Sequence, residues 1–362
     1  MHDNRKIIID KDYGHTTIDH FADATFTEFD QHDLVLGAVY IIGYRQLCKH
    51  ADSILNLAAN DKIKLIFSHP TEGSSSLLGQ CTNISENFLA LAKKRKIAFY
   101  CGGPISQEYH QMSYETFLAM ILDYKDNVNA IQQYSDNYST VRPYKFLFLN
   151  GRARSHRRVM LDNLAQCKLL DAAIWTNLSP DNGPIKLLDL KYEYHKFNVA
   201  FDIDDCNNAN VTKDKLFGPG IWGEIYLNSA PYNDTYFSVV TETVHAYPYS
   251  FRTEKIWKPI AMGHPWIAVA NQGYYKDMHN LGFKTFGHVV DESFDSIENN
   301  HDRLERVTAV IKDLCEQDLA SFLKECYNVC KYNQQHLAEM RIKVRSEFPE
   351  RFKQFITNYI NE

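Results

Sequence analysis

The sequence predicts an α/β protein with two doubly wound parallel-sheet domains and a helical C-terminus. Three observations carry this. Apolar runs of strand length alternate with helical patterns at periods of roughly 20–30 residues, as βαβ units require. The alternation lapses over Asn127 to Pro143 and restarts at Tyr144. From Ile297 onward the pattern is helical only. A chain of 362 residues has room for two domains that each bury a core.

The elements follow in order. Lys6 to Asp10 makes a first strand, with Asp12 and His15 in the loop after it. Leu34 to Tyr40 suits a second strand. Tyr44 to Ala59 places Leu47, Ile54, Leu55 and Ala58 on one helical face. Lys64 to Phe67 is a strand that runs into the polar loop His69-Pro70-Thr71-Glu72-Gly73 and three serines. Ser85 to Lys94 reads as helix, Ile97 to Tyr100 as strand, and Tyr114 to Leu122 as helix. Asn127 to Pro143 has little periodicity and reads as a linker. Tyr144 to Leu149 is the next strand, followed by an arginine-rich turn, a helix through Leu161, Leu164 and Leu169, and a strand at Ala172 to Trp175. Residues 179–219 are rich in loop formers. Three helices close the chain: Ile297 to Glu316, Leu319 to Glu339 and Pro349 to Ile360. The domains expected are 1–140, 141–335, and a C-terminal helix, 336–362, that can return to the first domain.

Composition narrows the class. With 44% hydrophobic and 23% charged residues, the chain is a globular protein and not a disordered one. The formal net charge of −6 argues against a protein that coats nucleic acid non-specifically. Eight cysteines are scattered without a CxxC pair, so neither a disulfide framework nor a zinc site is expected. The first residues lack a secretory apolar core, and the longest apolar run, Leu34 to Ile42, is too short to span a bilayer. A cytoplasmic protein, or one made in a host cytoplasm, is the expectation.

Two segments carry the chemistry. The first is Asn150-Gly151 followed by Arg152, Arg154, Arg157 and Arg158, at a strand-to-helix turn. Such a turn offers free backbone N–H groups and a positive helix end, and guanidinium groups match phosphate oxygens. The turn is neither a P-loop nor a GxGxxG fingerprint. The second is Phe237 to Phe286, read as strand, loop, short helix, strand, loop, helix or turn, strand. Glu242 and His245 follow its first strand. Thr253 is a candidate N-cap, with Glu254 and Lys255 in the first helical turn. A cation at a helix N-terminus is mildly unfavourable, so Lys255 points to an anionic ligand. Pro259 inside the helix breaks a second local rule, and local rules fail most often at functional sites.

The order Phe237-x4-Glu242, then Thr253-Glu254-Lys255-Ile256-Trp257-Lys258, then Ala261-Met262-Gly263-x-Pro265 resembles the donor-binding segment of the α-1,3-fucosyltransferase family. It is more loosely similar to exostosin-like transferases. The same text, with Asn150-Gly151-Arg152-Ala153-Arg154-Ser155-His156-Arg157, is also similar to small glycosyltransferases of phages and large viruses. The resemblance is good over about 60 residues, extends to the C-terminal half only in outline, and does not reach residues 1–140. Thr243 stands where the fucosyltransferases have Asn, and the loop to Arg252 departs from their acidic pattern.

The resemblance implies a GT-B plan, with two Rossmann-like domains facing across a cleft, and a nucleoside-diphosphate sugar as donor substrate. Glu254 would accept hydrogen bonds from ribose hydroxyls. Lys255 and the arginines 152, 154 and 157 would hold the diphosphate, with Thr253 and His245 lining the site. Glu242 would sit near the sugar or stabilise the loop. The base, UDP or GDP, stays open.

The acceptor, a glycan or another hydroxyl compound, needs a base unless the reaction retains configuration. Glu72, His69 and Asp12 are the candidates, with Asp10 beside them. Asp202-Ile203-Asp204 is formally a metal-binding triplet, but cationic side chains already serve the diphosphate. No metal and no cofactor are expected. Two rival readings stand: a viral transferase acting on modified DNA bases, and a non-catalytic nucleotide- or carbohydrate-binding module.

Overall fold

The computed structural model describes residues 6–10, 24–27, 34–71, 86–104, 107–134, 138–152, 154–179 and 227–362. The fold is mixed α/β with two parallel sheets, compatible with two Rossmann-like domains and a helical C-terminus. The chain divides into two compact units, Met1–Thr116 with Ile342–Glu362, and Phe117–Arg341.

The first unit holds six strands: β1 Ile7–Asp10, β2 Ala24–Thr27, β3 Val39–Gly43, β4 Lys64–His69, β5 Ile97–Cys101 and β6 Gln111–Ser113. They lie in the order β2-β1-β3-β4-β5-β6, every pair parallel. β3 and β5 are buried along their whole length, as strands covered on both faces must be. Helix α1, Tyr44–Ala59, kinks at His50, and α2 spans Glu86–Lys93. One core cluster joins Tyr40, Ile42, Ile54, Leu65, Phe67, Phe88 and Phe99.

The tail of the chain completes this unit. Tyr359 is fully buried. Its hydroxyl donates toward Lys96 O at 2.6 Å and accepts from the Leu65 N–H at 3.2 Å. Phe348 and Phe352 pack their rings against Tyr100, and Phe355 stacks on His110.

The second unit holds β7 Tyr144–Arg152, β8 Ala173–Ser179, β9 Thr235–Thr241 and β10 Trp266–Val269, in the order β10-β9-β7-β8 and all parallel. Its helices begin with α3 Thr116–Met120, α4 Lys125–Gln133, α5 Ser155–Gln166 and α6 Ala230–Asn233. They continue with α7 Glu254–Met262, α8 Tyr274–Asn280, α9 Asn300–Cys315 and α10 Leu319–Asn361, whose last turns lie in the first unit.

Four expectations from the sequence are corrected. Strand β2 was not foreseen. α4 occupies part of the stretch read as a linker. The Asn127 side chain donates to Ile121 O and accepts from the Leu227 N–H, so this segment packs through polar groups. The last two expected helices are one, running through Pro349, which lacks the N–H that would bond one turn back. Residues 283–286 form no strand. Within the second unit the Arg142 guanidinium donates to Thr235 O at 2.7 Å and ties the connector to β9.

α10 clasps the second unit through five hydrogen bonds from four residues between 332 and 336. Tyr332 donates to Gly282 O, Asn333 bonds both backbone groups of Lys284, Gln334 donates to Ala261 O, and His336 bonds Leu281 O. Gly263 ends α7 at φ 67°, and a Cβ there would lie 2.6 Å from Gln334. Only glycine suits both the left-handed backbone and that approach.

Candidate functional site at the carboxyl ends of the second sheet

β7 is the first strand of its sheet, with β8 on one side and β9 on the other. The connection after β7 runs toward β8 and the one after β9 runs toward β10, so the carboxyl ends of β7 and β9 form the topological switch point of the sheet. In open α/β sheets that is where ligands bind. The arginine turn follows β7, and Glu242 follows β9.

Arg154 is the N-cap residue of α5, and α5 has no side-chain cap. Among the described residues its first N–H groups are thus left for another acceptor. Arg154 is half-buried, and its Nε is buried with no hydrogen-bond partner among the described residues. Arg157 is buried and donates from Nη2 to Thr241 O at 3.2 Å. His156 is buried and bonds Glu242 O through Nε2 at 2.8 Å, which makes Nε2 the protonated nitrogen. Both contacts fasten the turn to the end of β9. Arg152 is the last residue of β7.

Glu242 is the hub. It is wholly buried, and its carboxylate accepts four hydrogen bonds. The Thr253 N–H and the Tyr274 hydroxyl reach Oε1 at 3.0 and 3.2 Å. The Thr253 hydroxyl and the Thr243 N–H reach Oε2 at 2.7 and 3.1 Å. Burial pushes its carboxyl above the usual range, against the pull of Lys255 and the Thr253 donors. Its oxygens are committed to protein groups, so of its two expected roles the geometry matches loop stabilisation.

Through Thr253 the hub sets α7. Thr253 has the extended backbone of an N-cap, and its hydroxyl accepts from the Lys255 N–H at 3.3 Å. Lys255 Nζ pairs with the buried Glu254 carboxylate at 2.6 Å and touches Thr253 Oγ1 at 3.3 Å. Burial pushes the Glu254 carboxyl up, but Lys255 and Lys258 outweigh it and hold the group below the usual range. Glu254 is therefore an anion that can accept hydrogen bonds.

The His245 ring stacks on His156, with centroids 5.2 Å apart and planes 10° from parallel. Burial, together with Arg157, His245 and Arg154, lowers His156 to about 3. Burial and Arg303 lower His245 to about 4. Both imidazoles are neutral at pH 7. Arg303, from α9, spends all five N–H groups on neutral acceptors: the carbonyls of Ala270, Ile297, Glu298 and His245, and the Asn300 amide oxygen.

The structure thus gathers Arg154, Arg157, Glu242, His245, Thr253, Glu254 and Lys255 at one end of one sheet. His69 ends β4 in the first unit, partly buried, in register with Cys101. Asp10 ends β1 and is buried. Asp12, Glu72 and the Asp202-Ile203-Asp204 triplet lie outside the described residues. His156, Asn271, Tyr274 and Arg303 were missed. His156 alone was flagged by a signal, its place inside the arginine turn. The others are single residues that tertiary packing brings in.

Among the described residues no group of three or more His, Cys, Asp or Glu could hold a metal ion, and no helix is long and apolar enough to cross a membrane. The chain matches no protein-family model, and no curated protein matches it.

Proposed function

We propose that the chain is a glycosyltransferase of GT-B type that moves a sugar from a nucleoside-diphosphate donor to a hydroxyl acceptor. One observation carries the reading. Two segments a hundred residues apart, the arginine turn and the Thr253-Glu254-Lys255 helix start, are fastened to the same strand end. The fastenings are His156 to Glu242 O, Arg157 to Thr241 O, and the Glu242 carboxylate to Thr253. Their resemblance to fucosyltransferase-like donor segments supports the same reading.

In this mechanism the diphosphate lies against the uncapped start of α5, between Arg154 and Lys255. Arg157, already bonded to Thr241, braces the turn. Glu254 accepts from the ribose hydroxyls. As the bond from anomeric carbon to diphosphate oxygen breaks, negative charge grows on the leaving group, and Arg154 and Lys255 offset it in a partly dry site. The acceptor oxygen forms the new bond to the anomeric carbon and gives up its proton. In an inverting reaction a carboxylate or imidazole receives it, and His69, Glu72 and Asp12 remain the candidates.

A thermal-shift screen against UDP-, GDP-, CMP- and ADP-sugars tests this. A true donor at ~100 times its Kd adds about 2.7 kcal/mol of stability. No shift with any of them overturns the donor site. A donor that binds through Lys255, yet is never transferred to water or to any acceptor, identifies a binding module instead.

A further inference from the structure

Behind the imidazole stack lies a small cavity lined by His245, Asn271, Tyr274, Asp295, Arg303 and the backbone of β10's last residues. Two of its lining side chains are buried and each keeps one polar atom without a hydrogen-bond partner among the described residues, His245 Nε2 and Asn271 Oδ1. The orientation of the Asn271 amide is forced. Ser250 Oγ donates to Asp277 Oδ2 at 2.5 Å, so it must accept from Asn271, and Asn271 Nδ2 donates to it at 3.1 Å. The same Nδ2 donates to Gln272 O at 2.9 Å. The amide oxygen therefore faces the cavity.

We infer that this cavity is a binding site for one ordered water molecule, held between Asn271 Oδ1 and His245 Nε2. The chemistry eliminates other guests. A cation is opposed by the Arg303 guanidinium that lines the same wall. An anion is opposed by the Asn271 acceptor and by Asp295. An apolar guest leaves both polar atoms unpaired, at about 1–3 kcal/mol each. The room is that of about one water, which needs at least two polar partners, and two are present. The water donates to Asn271 Oδ1 and bonds His245 Nε2 with its remaining capacity.

The water makes His245 a positioning residue. It links the loop after β9 to the end of β10, and His245 supports His156, which fastens the arginine turn to Glu242. None of this depends on what the turn binds.

The direct test is a high-resolution crystal structure of the full chain. One isolated density peak about 2.7–3.2 Å from both atoms is expected. A dry cavity, a direct His245–Asn271 contact, or a peak at metal-ligand distances overturns the inference. A double-mutant cycle checks it in solution, using His245→Phe, Asn271→Leu and the pair, read from denaturant midpoints. Each single change strands one polar atom beside the water and the double change strands neither; the donors that Asn271→Leu removes from Ser250 Oγ and Gln272 O are lost in single and double alike and cancel in the cycle. The double variant should lose clearly less than the sum of the singles, whereas strict additivity counts against a shared water.

Discussion

Two helices begin at the same end of the second sheet, and their first turns are finished in opposite ways. α7 is closed on itself: Thr253 caps it, Glu254 neutralises Lys255, and the Glu242 carboxylate anchors the cap. α5 is left open: no side chain caps it, and Arg154 keeps a buried Nε without a partner. A closed start can fold and stay rigid alone. An open, positively charged start is suited to an anion. On the proposed function the α5 start is the receptor side, and Glu254 and Lys255 trade part of their mutual pairing for the donor.

The largest effect belongs to the hub. Glu242→Ala strands the donors of Thr253, Thr243 and Tyr274, and should cost about 3–5 kcal/mol of stability, as breaking a buried charged network does. Urea unfolding would show it, and a loss below about 1 kcal/mol would mean that α7 does not need its anchor.

The imidazole stack comes next, as a pH dependence. Both histidines have depressed folded values, about 3 and about 4, against an unfolded value near 6.5. Between those limits the unfolded chain binds protons that the folded chain refuses. Stability is therefore complete above about pH 6.5 and falls as pH drops, by up to ~1.4 kcal/mol per pH unit for each histidine. His156→Gln keeps a donor for Glu242 O and should flatten that slope by about one proton's worth. An unchanged slope would move the acid sensitivity elsewhere.

Arg154→Gln should act on the receptor side alone. Nucleoside-diphosphate affinity, measured by titration calorimetry, should fall about tenfold, or about 1.4 kcal/mol, with unfolding unchanged. The smallest effect is the mirror case. Thr253→Ala should lower stability by about 1 kcal/mol through the lost cap, and Thr253→Ser should restore it.

How much of this was legible in the sequence follows from what each feature depends on. Most strands, the α1 range and the Thr253 cap depend on local chemistry, and their residues announce them; β2 and the shift of the second expected strand from Leu34–Tyr40 to Val39–Gly43 do not. The Arg154 and Lys255 oddities were legible because each breaks a local rule. Sheet order was not, since nothing in β7 says that β9 will lie beside it. α4 was missed because Asn127 fills a buried position where the helical pattern expects an apolar residue. Arg303 and Asn271 belong to the site only through groups distant in sequence, the His245 carbonyl and the Ser250 hydroxyl, so no spacing marks them.

Tyr359 bears on how the chain is made. The backbone groups its hydroxyl bonds at Leu65 lie 294 positions earlier. During vectorial synthesis β4 and β5 leave the ribosome long before the segment that covers Tyr100 and Lys96. The second unit is translated whole within that interval. The first unit therefore completes its native packing only once residues 342–362 have been made.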